Sequence, residues 1–282
     1  MDLNAIIENG FISPGTIIKP IMPNTPVEAT IASNGEIVFD SKRFENLDEA
    51  MANVLSADLY TQSTSTGWQF WGFYNSIKNV WIPLEHLRAK LALKSKAPSV
   101  HTSESHPLRI DTIELSDKAG RIGMTFCPGK KIMGLYGGEW DRDLELDLSV
   151  VDDSGASTLI TVMEDHEFDV LGVPNFKDSV KTRSFYWEQL LVKDCDIPTD
   201  IFEAQWKKLG PKIHEQLKNN ELIIIHCRGG LGRTGLLAAR ILVEVGYSPV
   251  DAIAMVRKTR SHTIETFSQE YYILTQAWKT NG

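Results

Sequence analysis

Cysteine is scarce in this chain: Cys127, Cys195 and Cys227 are all there is in 282 residues. An odd number without framework spacing excludes a disulfide-stapled scaffold and points to a reducing compartment. No apolar run approaches the length needed to span a bilayer. The amino terminus, Met1-Asp2-Leu3-Asn4-Ala5, lacks the basic start and apolar stretch of a signal peptide. The expectation is a cytoplasmic protein without a membrane partner. Positive charge is also in short supply, with 29 Lys and Arg against 37 Asp and Glu for a net charge of −8, and the chain carries no repeat or low-complexity tract. What it has is apolar content, 42% hydrophobic residues, enough to bury one large core or two modest ones.

One segment concentrates chemistry. Leu222-Ile223-Ile224-Ile225 reads as a buried strand, and Leu236-Leu237-Ala238-Ala239-Arg240-Ile241-Leu242-Val243 reads as a helix. Between them lies His226-Cys227-Arg228-Gly229-Gly230-Leu231-Gly232-Arg233-Thr234-Gly235. In a strand, glycine-rich loop, helix order, the backbone N–H groups of residues 228–233 converge with the helix N-terminus on one point and can cradle a phosphate. The glycines admit positive φ and close backbone approach. The helix dipole and Arg233 favour a Cys227 thiolate. Arg233 can return beside the nucleophile and bond two equatorial phosphoryl oxygens. The Thr234 hydroxyl can donate to the sulfur as it leaves a phosphocysteine.

The segment, His226 included, resembles the Cys-x5-Arg-Ser/Thr signature of protein tyrosine and dual-specificity phosphatases. Within that group the resemblance is to kinase-associated phosphatase (cyclin-dependent kinase inhibitor 3)-like proteins and their bacterial relatives. It is carried by Gly123-Met124-Thr125-Phe126-Cys127-Pro128-Gly129-Lys130-Lys131, Val173-Pro174-Asn175, Val192-Lys193-Asp194-Cys195-Asp196-Ile197-Pro198 and Ile264-Glu265-Thr266-Phe267-Ser268-Gln269-Glu270-Tyr271.

The resemblance implies an α/β domain over residues 107–282, a central mixed or parallel sheet flanked by helices. It implies a phosphocysteine mechanism in which Asp194 is the general acid and Gln269 holds the attacking water. Asp196 competes with Asp194 for the acid's role. No metal and no cofactor are required, because Arg233 and the loop dipoles supply the positive charge. The expected substrate is a phosphorylated protein, through phosphotyrosine and phosphoserine or phosphothreonine. Arg228 and Leu231 stand where phosphoinositide phosphatases carry a lysine pair, which disfavours lipid substrates. Two other functions use the same residues: a phosphate-reading nucleic-acid or peptide sensor, and a phosphatase of a small molecule or an RNA 5′ end. Cys195, next to Asp194, reads as a free thiol, with a protective disulfide to Cys227 as the sharper alternative. Cys127 reads as a small apolar residue at a strand end.

Residues 93–106 are rich in Ser, Lys and His and read as a linker. Before them, residues 1–92 read as a small α+β module. A turn leads into a strand near Ile17, and Val27–Ile31 pairs with Glu36–Phe39 through Ala32-Ser33-Asn34-Gly35. A helix is expected over Asn46–Ser56, then strands over Gly67–Phe73 and around Trp81. These features resemble the restriction-adenine-methylase-associated (RAMA) domain, which implies DNA or modified-base recognition. Six Lys and Arg against ten Asp and Glu over residues 1–92 oppose that implication. Trp68, Trp71 and Phe73 read as a core face ahead of a base-stacking platform. Since nothing in residues 1–92 resembles a catalytic acid, a nucleophile or a phosphate loop, a chain beginning near Pro107 is expected to fold and to hydrolyse a small aryl phosphate at close to the full rate.

Overall fold

A computed structural model describes residues 2–22, 24–76, 80–93, 100–115, 120–133 and 138–276. The chain divides into two compact units. One comprises the first 97 residues together with Glu265–Tyr271, and the other holds most of the remainder.

The N-terminal unit begins with α1 (Leu3–Glu8), whose first turn is capped by the Asp2 carboxylate accepting from Ala5 N at 3.0 Å. Four short strands follow, β1 (Ile17–Pro20), β2 (Ala29–Ile31), β3 (Ile37–Phe39) and β4 (Lys42–Phe44). Helices α2 (Leu47–Val54), α3 (Ala57–Gln62) and α4 (Gly67–Phe70) precede β5 (Trp71–Asn75), β6 (Val80–Pro83) and α5 (Glu85–Leu93). The strands form one six-stranded sheet in the order β4-β3-β2-β1-β5-β6, antiparallel throughout. The expected hairpin and helix are present as β2–β3 and α2.

The strand expected over Gly67–Phe73 is not continuous, because its first four residues form α4. Thr66 and Gln69 build a capping box, and the Asp48 carboxylate accepts the Gly67 N–H at 2.6 Å. A Cβ on Gly67 would drive into the Leu47 backbone, so these local bonds and a close approach override the aromatic alternation. Trp68 and Trp71 lie in the hydrophobic core with Ile18, Ile31, Ile37 and Phe70, and Phe73 is half-buried.

That core is completed from far along the sequence. Phe267 packs its ring edge-on against Phe70, with centroids 4.9 Å apart. Glu270 accepts from Thr64 N at 2.7 Å, from the Ser63 hydroxyl at 3.2 Å and from the Ser65 hydroxyl. Residues 107–282 therefore do not all belong to one unit: Glu265–Tyr271 count with the first. The physical reason is that the small sheet lacks enough apolar surface of its own over Phe70 and takes Phe267 to cover it.

The second unit contains β7 (Val100–His101), β8 (Asp111–Glu114), β9 (Arg121–Phe126), β10 (Lys131–Met133), β11 (Glu139–Asp141), α6 (Leu144–Asp153), β12 (Ala156–Val162), α7 (His166–Val170), α8 (Phe176–Val180), β13 (Tyr186–Leu190), α9 (Asp200–Lys218), β14 (Leu222–Cys227), α10 (Gly232–Glu244) and α11 (Pro249–Thr259). A last helix, α12 (Phe267–Thr275), divides between the units at Tyr271. The main sheet runs β13-β12-β14-β9-β8, with four parallel strands and β8 antiparallel on the edge, so it is mixed. Every residue of β14 is buried, as a central parallel strand covered on both faces requires.

A small second sheet pairs β10, β11 and β7. It takes up the far end of the expected linker: β7 pairs with β11, and the Arg142 guanidinium donates to Thr102 O at 3.2 Å and His106 O at 2.6 Å. Residues 94–99 of that linker lie outside the described residues. Among the described residues no helix is long and apolar enough to cross a membrane.

Candidate active site

Cys227 ends the central strand and Gly232 begins α10, so the loop between them spans the gap from the sheet to the helix N-terminus. The loop carbonyls are held from outside. Arg228 O accepts from Cys127 N at 3.4 Å, and Leu231 O accepts from Gly235 N at 2.9 Å and Ile264 N at 3.4 Å. Arg260, just beyond α11, donates to Gly230 O at 2.6 Å and Gly229 O at 3.4 Å, and is itself held by Asp111 at 2.6 Å. With the carbonyls bonded outward, the amides of this loop face the other way, as an anion nest requires. Gly230 has φ +68°, and a Cβ there would drive into the Thr125 carbonyl of β9, whereas Gly229 has open space around it.

Arg233 is buried, and its two terminal nitrogens meet the two oxygens of Glu167 at 2.5 and 2.9 Å. The same guanidinium donates to Val192 O at 3.1 Å and to Asp194 Oδ1 at 3.0 Å. Burial alone would lower the Arg233 pKa, but the Asp194 charge and the Glu167 bond carry it well above the usual value. Glu167, from α7, is a site residue that sequence reasoning missed. Its only signal would have been the rule that a buried arginine needs a carboxylate, and nothing in Glu164-Asp165-His166-Glu167 says which one answers.

Asp194 Oδ2 also lies 4.0 Å from an Arg228 Nη. Of the two candidate acids, Asp194 is therefore the one joined to the arginine of the loop. Asp196 instead accepts from Ile197 N at 2.8 Å. Between them Cys195 is buried, outside any disulfide, at φ +62°.

Next to Cys227, His226 is buried and Thr161 Oγ1 sits 2.6 Å from its Nε2. Thr161 Oγ1 in turn accepts from Trp187 Nε1 at 2.9 Å. Burial pushes the His226 pKa down to about 3, opposed by a backbone bond at Cys227 and reinforced by Arg233, so the ring is neutral at pH 7. It acts as a neutral strut for the strand end. Thr234 Oγ1 is buried without a hydrogen-bond partner among the described residues, so the expected bond to the sulfur is not made in this state. Gln269 is buried, and its Oε1 accepts from Glu265 N at 2.9 Å and Thr266 N at 3.3 Å. It belongs to the segment counted with the N-terminal unit.

Cys127 is also buried and free, and burial pushes its thiol up, so it stays protonated. After it the turn Pro128-Gly129 is fixed by Asp147, whose Oδ2 accepts Gly129 N at 2.8 Å while both its oxygens bind Arg142 at 2.7 Å.

The family "Polymorphic toxin system, DSP-PTPase phosphatase" matches residues 137–247. Cyclin-dependent kinase inhibitor 3 of Rattus norvegicus is 29% identical over 175 residues, covering 60% of this chain and 79% of that protein. RNA/RNP complex-1-interacting phosphatase of the same organism is 35% identical over 91 residues, covering 32% of this chain and 27% of that protein. Among solved structures, kinase associated phosphatase with its catalytic-site cysteine replaced by serine superposes with a TM-score of 0.52 at 26% identity, covering 59% of this chain and 92% of that one. The signature loop, the mixed sheet and these relatives agree: the carboxy-terminal half of the chain is similar in sequence and in fold to dual-specificity phosphatases.

Proposed function

We propose that the chain hydrolyses phosphate monoesters of phosphorylated proteins, on tyrosine and on serine or threonine, through a phosphocysteine at Cys227. The observation that carries the reading is the loop from Cys227 to Arg233, with carbonyls bonded outward and its arginine fixed by Glu167. With both terminal nitrogens turned to Glu167, the Nε–H and the second Nη2 hydrogen remain as a fork for two phosphoryl oxygens. In the resting site Asp194 accepts from that Nη2. A phosphoryl group that takes the fork displaces Asp194, and release from a guanidinium favours the protonated carboxyl that an acid must present.

In the first step the Cys227 thiolate attacks phosphorus in line, the loop amides of residues 228–232 and Arg233 hold the equatorial oxygens, and Asp194 protonates the leaving oxygen. In the second, Asp194 takes a proton from water that attacks the phosphocysteine, with Gln269 as the residue that positions it and Thr234 as donor to the departing sulfur. The charge is supplied by Arg233 and by backbone dipoles, so no metal or cofactor enters either step.

The N-terminal unit serves as a targeting or regulatory module. A RAMA-like DNA or modified-base ligand is the weaker form of that idea, because residues 1–92 carry more acidic than basic side chains and Trp68 and Trp71 are core residues. A cytoplasmic location fits a nucleophile that must stay reduced.

Turnover of phosphotyrosine peptide, phosphothreonine peptide and 5′-phosphorylated RNA by the full chain and its Cys227→Ser variant tests the reading. Peptide hydrolysis is expected from the full chain, with less than about 1% remaining in the variant while phosphate binding persists. Hydrolysis of the RNA alone would move the substrate class, and an active Cys227→Ser variant would remove the nucleophile.

A further inference from the structure

The charges around Cys227 do not balance in the way the sequence suggests. Arg233, the fixed positive charge of the loop, faces two carboxylates, Glu167 and Asp194. Arg260 is paired with Asp111, and Arg142 with Asp147. Lys130 is different. It is 7% exposed and, among the described residues, no carboxylate lies within ion-pair distance of it. Its ammonium is lodged instead between two rings, 4.2 Å from the centroid of Phe126 and 4.0 Å from that of Trp140.

Those rings place the charge beside the nucleophile. Phe126 is the residue in register with Cys227 across the parallel β9–β14 ladder, and partners in register point to the same face of a sheet. The lysine is also pinned. Gly129, at φ +73°, bonds Asp147, Lys130 N donates to Cys127 O at 3.4 Å, Lys130 O accepts from Arg142 N at 3.3 Å, and Lys131 N donates to Leu171 O at 2.7 Å. A buried ammonium so held is costly unless an anion answers it. In the phosphocysteine mechanism proposed above, the anion at the end of β14 is the Cys227 thiolate.

We propose that Lys130 is the counter-charge of Cys227, a positioning residue whose fixed ammonium keeps the nucleophile ionised while Arg233 is neutralised by Glu167 and Asp194. The inference rests on the phosphocysteine reading above. Its electrostatic surroundings agree. Burial pushes the Lys130 pKa down to about 8, with Cys127 and Cys227 opposing the shift and Arg142 and Arg260 adding to it. The other titratable groups on this side are His101, whose ring lies 4.8 Å from Trp140, and His106, stacked on His101. Burial lowers the His101 pKa, with His106, Arg142 and Lys130 adding to the shift, so it is neutral where Lys130 titrates. Lys130 therefore carries its charge at and below neutrality, the range in which an unsupported thiol would be protonated.

The test reads the thiol itself, so it does not depend on turnover. Alkylation of Cys227 by neutral iodoacetamide, located by peptide mapping, is followed against pH in the full chain and in Lys130→Met and Lys130→Arg variants. At pH 6.5 the Met variant is expected to react about tenfold more slowly than the wild type, the effect of removing one near charge, and to reach the same plateau at high pH. The Arg variant keeps the wild-type rate at pH 6.5. Hydrolysis of an aryl phosphate supplies a second readout: the acid limb of kcat/KM, set by ionisation of the nucleophile, moves to higher pH in a Lys130→Gln variant and stays at the wild-type position in the Arg variant, whose guanidinium stays charged. Unchanged alkylation in a folded Met variant overturns the proposal. Should the Met variant not fold, an acid limb in Lys130→Gln identical to that of the wild type overturns it equally. A protein whose Cys227 alkylation responds as expected but which hydrolyses no phosphate ester keeps the counter-charge and loses the phosphatase reading.

Discussion

As the proposed general acid, Asp194 has two partners to satisfy, an arginine at rest and a leaving oxygen in the reaction. Its Oδ1 lies 3.0 Å from Arg233, and in the proposed mechanism the acid role begins only when substrate takes that guanidinium. Asp194→Asn is therefore expected to slow hydrolysis of phosphothreonine peptide by about 10²-fold or more, because an alkoxide needs the proton. An aryl ester with a good leaving group should lose less than about tenfold. Steady-state kcat on both substrates checks this, and the same leaving-group dependence in Asp196→Asn instead would transfer the role. In the sequence this aspartate stood out through the family resemblance of its loop before α9, with Asp196 as its competitor, and Cys227 and Arg233 stood out through their spacing. It did not locate Glu167 or Lys130. Glu167 bonds Arg233 at the start of α10, Lys130 is proposed to act from the turn after β9, and neither has a local pattern that separates it from a solvated charge.

At the scale of elements, the phosphate loop shows three glycines that look alike in sequence and differ in the structure. Gly230 sits at φ +68° with the Thr125 carbonyl where a Cβ would go, while Gly229 has open space. Gly230→Ala should cost about 2 kcal/mol or more, combining left-handed strain with displacement of the loop from β9, and should abolish most activity. Gly229→Ala should stay within about 0.5 kcal/mol of the wild type. Denaturant unfolding of the two variants distinguishes them, and equal losses would mean that the loop is looser than its outward hydrogen bonds imply. The flanking strand and helix were legible because each carries an unbroken apolar run, Leu222–Ile225 in β14 and Leu236–Ala239 in α10. The turn of helix at Gly67–Phe70 was not, since its cause is a capping box and a close backbone approach rather than periodicity.

Across the whole molecule, the feature least visible in the sequence is the membership of Glu265–Tyr271 in the N-terminal unit. No local pattern reports that Phe267 completes a core nearly two hundred residues upstream, or that Glu270 answers Ser63, Thr64 and Ser65. This changes the expectation for a chain beginning at Pro107. Cutting there removes the core around Phe267 and the donors of a buried carboxylate, losses of about 1.5–3 kcal/mol for the ring alone and of further stability for an unpaired charge. The truncated chain is expected to melt at a clearly lower temperature than the full chain or to aggregate. An equal melting temperature and an equal rate on an aryl phosphate would show instead that Glu265–Tyr271 serves the N-terminal unit without being needed by the other.

The covalent step is the point on which all three scales converge. Rapid denaturing quench of the enzyme with a labelled aryl phosphate, followed by peptide mapping, asks whether phosphate is carried on the sulfur of Cys227. The expected result is label on the peptide that contains Cys227. Turnover with no label on that peptide, or with label on another residue, would contradict the assignment of Cys227 as the nucleophile.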